Sequence, residues 1–250
     1  MQGAGSAVAP VLLREIFSSV QGEGPYVGCR HLFIRFAGCN LSCRYCDTPR
    51  DRPPSCRVEV RPGSGKFMAV PNPLTPEELG VLIAGMDLGK HHAVSLTGGE
   101  PLLYPGFLKE LIPLLEGTRR GIYLETNGTL PGALEALLHL VDLIAMDVKL
   151  PSATGMQPLW EEHRRFLEVA RNKEVFLKAV VVKGTPLDEV VTAAEMAATA
   201  GATLVLQPVT AGEPERRPAP AELLRLQLQA LEVARDVRVI PQVHRFCGML

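Results

Sequence analysis

The stretch AGCNLSCRYCDTP, residues 37–49, carries three cysteines, Cys39, Cys43 and Cys46, and no fourth. It runs on directly from the apolar segment HLFIRFA (residues 31–37), so a strand should deliver the thiols onto a loop at its C-terminal end. Four readings compete for this loop. A closed structural zinc site needs four ligands, and Cys29, His31 or Cys56 would have to complete it. A Cys-x-x-Cys redox pair would use Cys43 and Cys46 but leave Cys39 without a role. Packed thiols sit poorly among Gly38, Asn40, Ser42 and Arg44. The fourth reading takes the number three literally. Iron–sulfur cubes are normally held by four thiolates, and with three, one iron keeps an open position for a substrate or cofactor.

Outward from this loop, short runs rich in valine, isoleucine and leucine alternate with amphipathic segments. Strands are expected at residues 11–17, 31–37, 93–96, 121–124, 143–146, 175–182, 203–206 and 237–240. Helical patterns cover residues 76–86, 106–115, 132–140, 159–171, 187–200 and 221–235. The first of them opens TPEE, in which Thr75 can cap, Pro76 suits the first helical position and Glu78 completes a capping box. This alternation predicts a parallel sheet flanked by helices, and an open doubly wound sheet and a closed or partly closed barrel both fit it. Residues 50–73, rich in proline, glycine and charge, read as a long loop or insertion with room for a short hairpin.

Polar clusters follow the expected strands one after another. They are Thr97-Gly98-Gly99-Glu100, Glu125-Thr126-Asn127-Gly128, Asp147-Val148-Lys149, Gln207-Pro208-Val209-Thr210 and Pro241-Gln242-Val243-His244. In parallel α/β folds the C-terminal strand ends form one rim, where ligands bind. Strand ends are also turns, and turns are polar. The recurrence at five strand ends favours a common site.

A chain of 250 residues with a net charge of −1 fits one sizeable domain and argues against a strongly basic nucleic-acid binder. Residues 1–10 resemble no secretory signal and are expected to be a disordered tail, with one domain over 11–250. No apolar run reaches membrane-spanning length. A soluble, cytoplasmic protein is expected, in which clustered thiols are metal ligands or redox groups before they are disulfides.

The Cys-x3-Cys-x2-Cys spacing, with Tyr45 just before its last cysteine and TGGEP (residues 97–101) behind a later strand, resembles the radical S-adenosylmethionine superfamily. More narrowly, EIFSSVQGEGPYVGCRHLFIRFAGCNLSCRYCDTP (residues 15–49) is similar to the N-terminal signature of the 7-carboxy-7-deazaguanine synthases. SLTGGEPLL, LETNGT, DVKLPSATGM, LQPV and IPQVH follow in the family order, so the resemblance spans residues 13–244. It implies an α/β fold, a modified, partly closed (β/α) barrel of the radical S-adenosylmethionine type, usually homodimeric. It also implies a 4Fe-4S cluster whose open iron takes S-adenosylmethionine and whose electron generates a 5′-deoxyadenosyl radical. The implied reaction converts 6-carboxy-5,6,7,8-tetrahydropterin to 7-carboxy-7-deazaguanine by ring contraction with loss of ammonia, on the way to queuosine and related deazapurines. Magnesium and an electron donor such as flavodoxin or ferredoxin are implied with it.

Residue by residue, the resemblance makes Cys39, Cys43 and Cys46 the cluster ligands and Thr48 the magnesium ligand. Gln21, Gly22, Glu23, Arg35, Thr97 and His244 fall at substrate positions, and Gln242 accompanies His244. A pterin edge suits amide and carboxylate partners, and the planar Arg35 fork suits a substrate carboxylate. Tyr45, Asp47, Gly99, Glu100, Glu125, Asn127, Asp147, Lys149 and Gln207 are expected around S-adenosylmethionine, Glu100 at its amino group. Lys178 reads as a barrel-facing polar residue of unidentified partner, and Cys29, Cys56 and Cys247 match nothing in the cluster pattern. The rivals are a glycyl-radical-enzyme activase, which shares the cysteine spacing, and a non-catalytic zinc or iron–sulfur protein.

Overall fold

A computed structural model of the chain describes residues 8–210 and 214–250. The expected disordered tail therefore lies largely outside the described residues, and residues 8–10 have no regular structure. The strands are β1 (Leu13–Val20), β2 (Arg30–Phe36), β3 (Ser55–Glu59), β4 (Phe67–Pro71), β5 (Ala93–Gly98), β6 (Ile122–Thr126), β7 (Leu143–Val148), β8 (Glu174–Val181), β9 (Leu204–Pro208) and β10 (Val237–Val239). All form one sheet in the order β10-β9-β8-β7-β6-β5-β2-β1-β3-β4. The run from β2 to β10 is parallel, β1 pairs antiparallel with β2, and β3 and β4 form a hairpin alongside β1. The sheet does not close, so of the two barrel forms the partly closed one holds. The 50–73 segment is this β3–β4 hairpin, which extends the sheet by two strands.

Helices α1 (Pro76–Ala84), α2 (Pro105–Leu111), α3 (Pro131–Leu137), α4 (Pro151–Thr154), α5 (Trp160–Ala170), α6 (Leu187–Ala200), α7 (Pro220–Leu231) and α8 (Val243–Phe246) follow the chain. Thr75 and Glu78 make the expected capping box at the start of α1. The one-turn helices α4 and α8 are too short to leave a periodic signature in the sequence.

Strand alternation sorts the side chains. Ile34, Leu96, Leu124, Met146, Leu177 and Leu206 point to the helical side and join the main core. Their neighbours point to the concave side, where Ala93, Tyr123, Leu143, Ala145, Phe176 and Val205 build an apolar floor. Two residues further along the same strands the concave face turns polar, with Ser95, Glu125, Asp147, Lys178 and Gln207. The floor also holds His31, fully buried and stacked on His92 at 5.6 Å with neither ring nitrogen hydrogen-bonded. No helix among the described residues is long and apolar enough to cross a membrane.

Candidate active site

The three-cysteine loop leaves β2 through Gly38, whose φ of +86° suits a residue without a side chain. The loop after β5 is sewn to it: Gly99 N donates to Phe36 O at 3.0 Å and Glu100 N to Gly38 O at 2.9 Å. A β-carbon on Gly99 would fall 1.7 Å from Gly38 O. The second glycine of TGGEP is therefore required by the approach of two backbones, whatever else it touches.

Cys39, Cys43 and Cys46 all line one cavity at the C-terminal strand rim. Partial burial pushes the Cys43 thiol above its ordinary value against the opposing pull of Lys149, so without metal it stays protonated at neutral pH. The proposed completions of a zinc site fail. Cys29 and His31 sit at the opposite end of β2, and Cys56 is buried in the β3–β4 hairpin. Among the described residues no three His, Cys, Asp or Glu side chains are gathered to hold a single metal ion. Three thiols on one loop, open to a cavity and lacking a fourth sulfur, are a donor set that fits a cluster with one free iron.

Of the nineteen residues expected at the site, eighteen line this cavity; Glu100 does not. Glu100 lies in the wall behind the cavity lining. Its carboxylate is fully buried and accepts from Leu102 N (3.1 Å), Thr126 Oγ1 (2.9 Å) and Asn127 N (2.7 Å), which ties the β5 and β6 loops together. Burial pushes its carboxyl up to about 7. Three of its roughly four acceptor sites are thus taken up by the wall.

Two carboxylates organise the polar layer. Glu125 accepts from Gln21 Nε2 (3.0 Å), Ser95 Oγ (3.1 Å) and Thr97 Oγ1 (2.6 Å). Glu23 pairs with Lys178 and accepts from Gln242 Nε2 at 2.7 Å. Burial alone would raise the Glu23 carboxyl, but the Lys178 ammonium and these hydrogen bonds hold it down to about 2. Lys178 also faces Asp147 Oδ1 at 3.2 Å, and Lys149 donates to Asp147 Oδ2 at 3.0 Å and to Tyr45 OH at 3.2 Å. Burial disfavours both ammonium groups, yet the neighbouring carboxylates raise their affinity for the proton and keep them charged.

Other members of the set are held more locally. Arg35 gives Nε to Glu15 at 2.8 Å and lies over the Phe17 ring, and among the described residues the rest of its fork has no hydrogen-bond partner. Asn127 donates to Asn40 Oδ1 at 2.8 Å and so steadies the cysteine loop. Gln207 is buried with Oε1 lacking a partner, a carbonyl that asks for a donor from a bound molecule. The hydroxyl of Thr48 is one protein oxygen, so a magnesium ion there would take the rest of its shell from substrate and water. Helix α8 closes the side near Gly22, where Val243 N donates to Gly22 O at 2.9 Å and Arg245 pairs with Asp47.

Sequence reading missed three contributors. Ser95 was available from alternation, being two residues before Thr97 on β5. His163 of α5, whose Nε2 meets Asn127 O at 3.1 Å, and Arg245 carry no local signal, since both act across the tertiary structure.

Comparison with known proteins bears on this geometry. The family described as the radical SAM superfamily matches residues 33–203, from within β2 to the approach of β9, and the chain belongs to that superfamily. A 7-carboxy-7-deazaguanine synthase of Geobacter sulfurreducens is 43% identical over 95% of this chain and 97% of its own length. One of Methanothermobacter thermautotrophicus is 36% identical over 96% and 98%. Within the superfamily, the chain is a member of the 7-carboxy-7-deazaguanine synthase family. The crystal structure of QueE from Escherichia coli shares the fold with a TM-score of 0.57, covering 94% of this chain and 95% of that one at 21% identity.

Proposed function

We propose that the chain converts 6-carboxy-5,6,7,8-tetrahydropterin to 7-carboxy-7-deazaguanine by radical ring contraction with loss of ammonia. The observation that carries this reading is the full-length similarity to two synthases of that name, together with three thiols that open onto a polar cavity. An activase reading draws nothing from these relatives.

Cys39, Cys43 and Cys46 would hold a 4Fe-4S cluster, which would supply the electron for reductive cleavage of S-adenosylmethionine. Tyr45, Asp47, Gly99, Glu125, Asn127, Asp147, Lys149 and Gln207 surround that cofactor. Gln21, Gly22, Glu23, Thr97 and His244 bind the pterin, and Arg35 takes its carboxylate with the free end of its fork. Glu23, with its carboxyl held near 2, stays ionised at neutral pH and acts as a fixed acceptor for pterin N–H groups, not as a proton shuttle. Thr48 contributes an oxygen to magnesium beside the substrate carboxylate. The apolar floor excludes water beneath the reacting ring. The working form is a cytoplasmic homodimer served by a flavodoxin or ferredoxin.

An anaerobic assay of reconstituted protein with S-adenosylmethionine, magnesium, dithionite and the pterin tests the reading, with mass spectrometry following both products. Deazapurine over repeated turnovers is the expected result. 5′-Deoxyadenosine without deazapurine would leave a radical enzyme with another substrate.

A further inference from the structure

The cation Lys178 belongs to both sides of the cavity. It stands on β8 opposite Asp147 of β7 in the parallel register, so the two side chains lie next to each other on the concave face. Glu23 reaches it from the turn after β1 and pairs with its ammonium through Oε2, while Asp147 Oδ1 lies 3.2 Å from the same nitrogen. The second contact is one of charge, since Asp147 Oδ1 is buried and, among the described residues, accepts no hydrogen bond. The remaining oxygens of the two carboxylates carry the contacts outward. Glu23 Oε1 accepts from Gln242 Nε2 at 2.7 Å, and Asp147 Oδ2 accepts from Lys149 Nζ at 3.0 Å. Lys149 donates in turn to the hydroxyl of Tyr45, in the cysteine loop, at 3.2 Å. One row, Gln242–Glu23–Lys178–Asp147–Lys149–Tyr45, therefore crosses the cavity from its C-terminal wall to the cysteine loop. Near its middle a single ammonium is shared by two carboxylates.

We propose that Lys178 is a positioning residue that couples occupancy of the pterin side of the cavity to occupancy of the S-adenosylmethionine side. The inference rests on the reading of those two sides given above. Pterin N–H groups that donate to Glu23 satisfy part of the charge that Lys178 alone now faces there. The ammonium then leans toward Asp147, its other ion-pair partner. Asp147, better neutralised, holds Lys149 less tightly. Lys149 has three N–H donors and uses two of them on Asp147 and Tyr45, so it is the cation able to turn to a cofactor carboxylate. The two ligands need not touch: each favours the same one of two positions of the Lys178 ammonium, which is the differential interaction that coupling requires. By linkage, the factor by which one ligand tightens the other is the same in both directions.

The test uses reconstituted holoenzyme without a reductant, so that both ligands bind and neither turns over. Anaerobic calorimetry gives the dissociation constant of 6-carboxy-5,6,7,8-tetrahydropterin with and without saturating S-adenosylmethionine, and that of S-adenosylmethionine with and without the pterin. In wild type each ligand should tighten the other about fivefold or more, by one common factor. Lys178→Gln should bring that factor to about one, whatever it does to either affinity alone, and Lys178→Arg, which keeps the charge, should retain most of it. Asp147→Asn leaves the Lys178–Glu23 pair in place but cuts the row on the cofactor side, and should also bring the factor to about one. It keeps the test decisive if Lys178→Gln does not fold. A merely structural Lys178 would lower thermal stability and both affinities in Lys178→Gln while leaving the factor unchanged, and that result overturns the proposal. So does a wild-type factor of one with both ligands bound. A wild-type protein that binds S-adenosylmethionine but no pterin removes the pterin reading and this inference with it, an outcome distinct from the other two.

Discussion

A β-carbon on Gly22 would come within 2.0 Å of Nδ1 of His244. Two residues more than two hundred positions apart are thus packed face to face, and the glycine is needed because an imidazole occupies the space. Gly22→Ala should displace His244 and α8 together. A shift of that size at a binding wall corresponds to about a 100-fold loss of activity, with a raised KM for the pterin. Gly132→Ala, at a helical glycine with nothing within 4 Å, is the control and should keep full activity. Steady-state kinetics of the two variants decides it.

Lys178 compensates Glu23 and Asp147 in a nearly dry setting, with side-chain exposures of 12%, 17% and 23%. Lys178→Met leaves two carboxylates facing each other without their shared cation, and should destabilise the fold by about 3 kcal/mol. Urea unfolding at pH 7 measures this. The Glu23 carboxyl should also rise from its depressed value, so that the loss shrinks as the pH is lowered toward 5 and the freed carboxyls protonate. An equal loss at both pH values would contradict the pairing.

His31 gives the fold an acid weakness. Burial first, and then the neighbouring His92 and His91, lower its imidazole to about 3. A depressed imidazole contributes stability that is present above its ordinary value of 6.5 and is lost as the pH falls from there toward 3. Between those limits the contribution is on the order of 4 kcal/mol. His31→Phe keeps an aromatic ring between His92 and Tyr123 and removes two unpartnered nitrogens. The variant should be at least as stable at pH 7 and should unfold at a lower pH than wild type, as followed by circular dichroism in acid titration.

Alanine at Cys39, Cys43 or Cys46 should each reduce bound iron and sulfide to background and abolish turnover. Alanine at Cys29 or Cys247 should change neither, because neither thiol lines the cavity. Iron and sulfide analysis after anaerobic reconstitution separates the two groups.

Gly99→Ala tests the seam between the two glycine loops. The obstacle is the backbone oxygen of Gly38 at 1.7 Å, which has no rotamer to escape into. A cost of about 3 kcal/mol is expected from thermal unfolding, with weaker cluster retention because the cysteine loop must move.

Much of this architecture was legible because it follows from short-range rules. Runs such as VFLKAVVV and AVSL name strands by composition, and each polar cluster behind them identifies a C-terminal end. Parallel order then brings those ends to one rim without any long-range information. Glu100 shows where this reasoning stops. Gly98, with φ of +110°, turns the chain just before it, so strand alternation no longer says where the carboxylate points. The openness of the sheet was legible only through the family resemblance, since strand pairing at β10 and β4 depends on what does not meet. Arg245, His163 and the Lys178 partners are set by packing between distant segments, which leaves no trace at the level of neighbouring residues.

The seam between Gly22 and α8 also has a consequence in time. Strands β5 to β10 enter the sheet in the order in which they are synthesised, each beside its predecessor. The cysteine loop meets its partner after β5 once about 100 residues have emerged, since Gly38 O is bonded by Glu100 N. The Gln21-Gly22-Glu23 turn must wait for Gln242, Val243 and His244, the farthest separated of these contacts and the slowest kind to close. During synthesis the cysteine loop is thus seated well before the Gln21–Glu23 turn on the other side of the cavity gains its C-terminal wall.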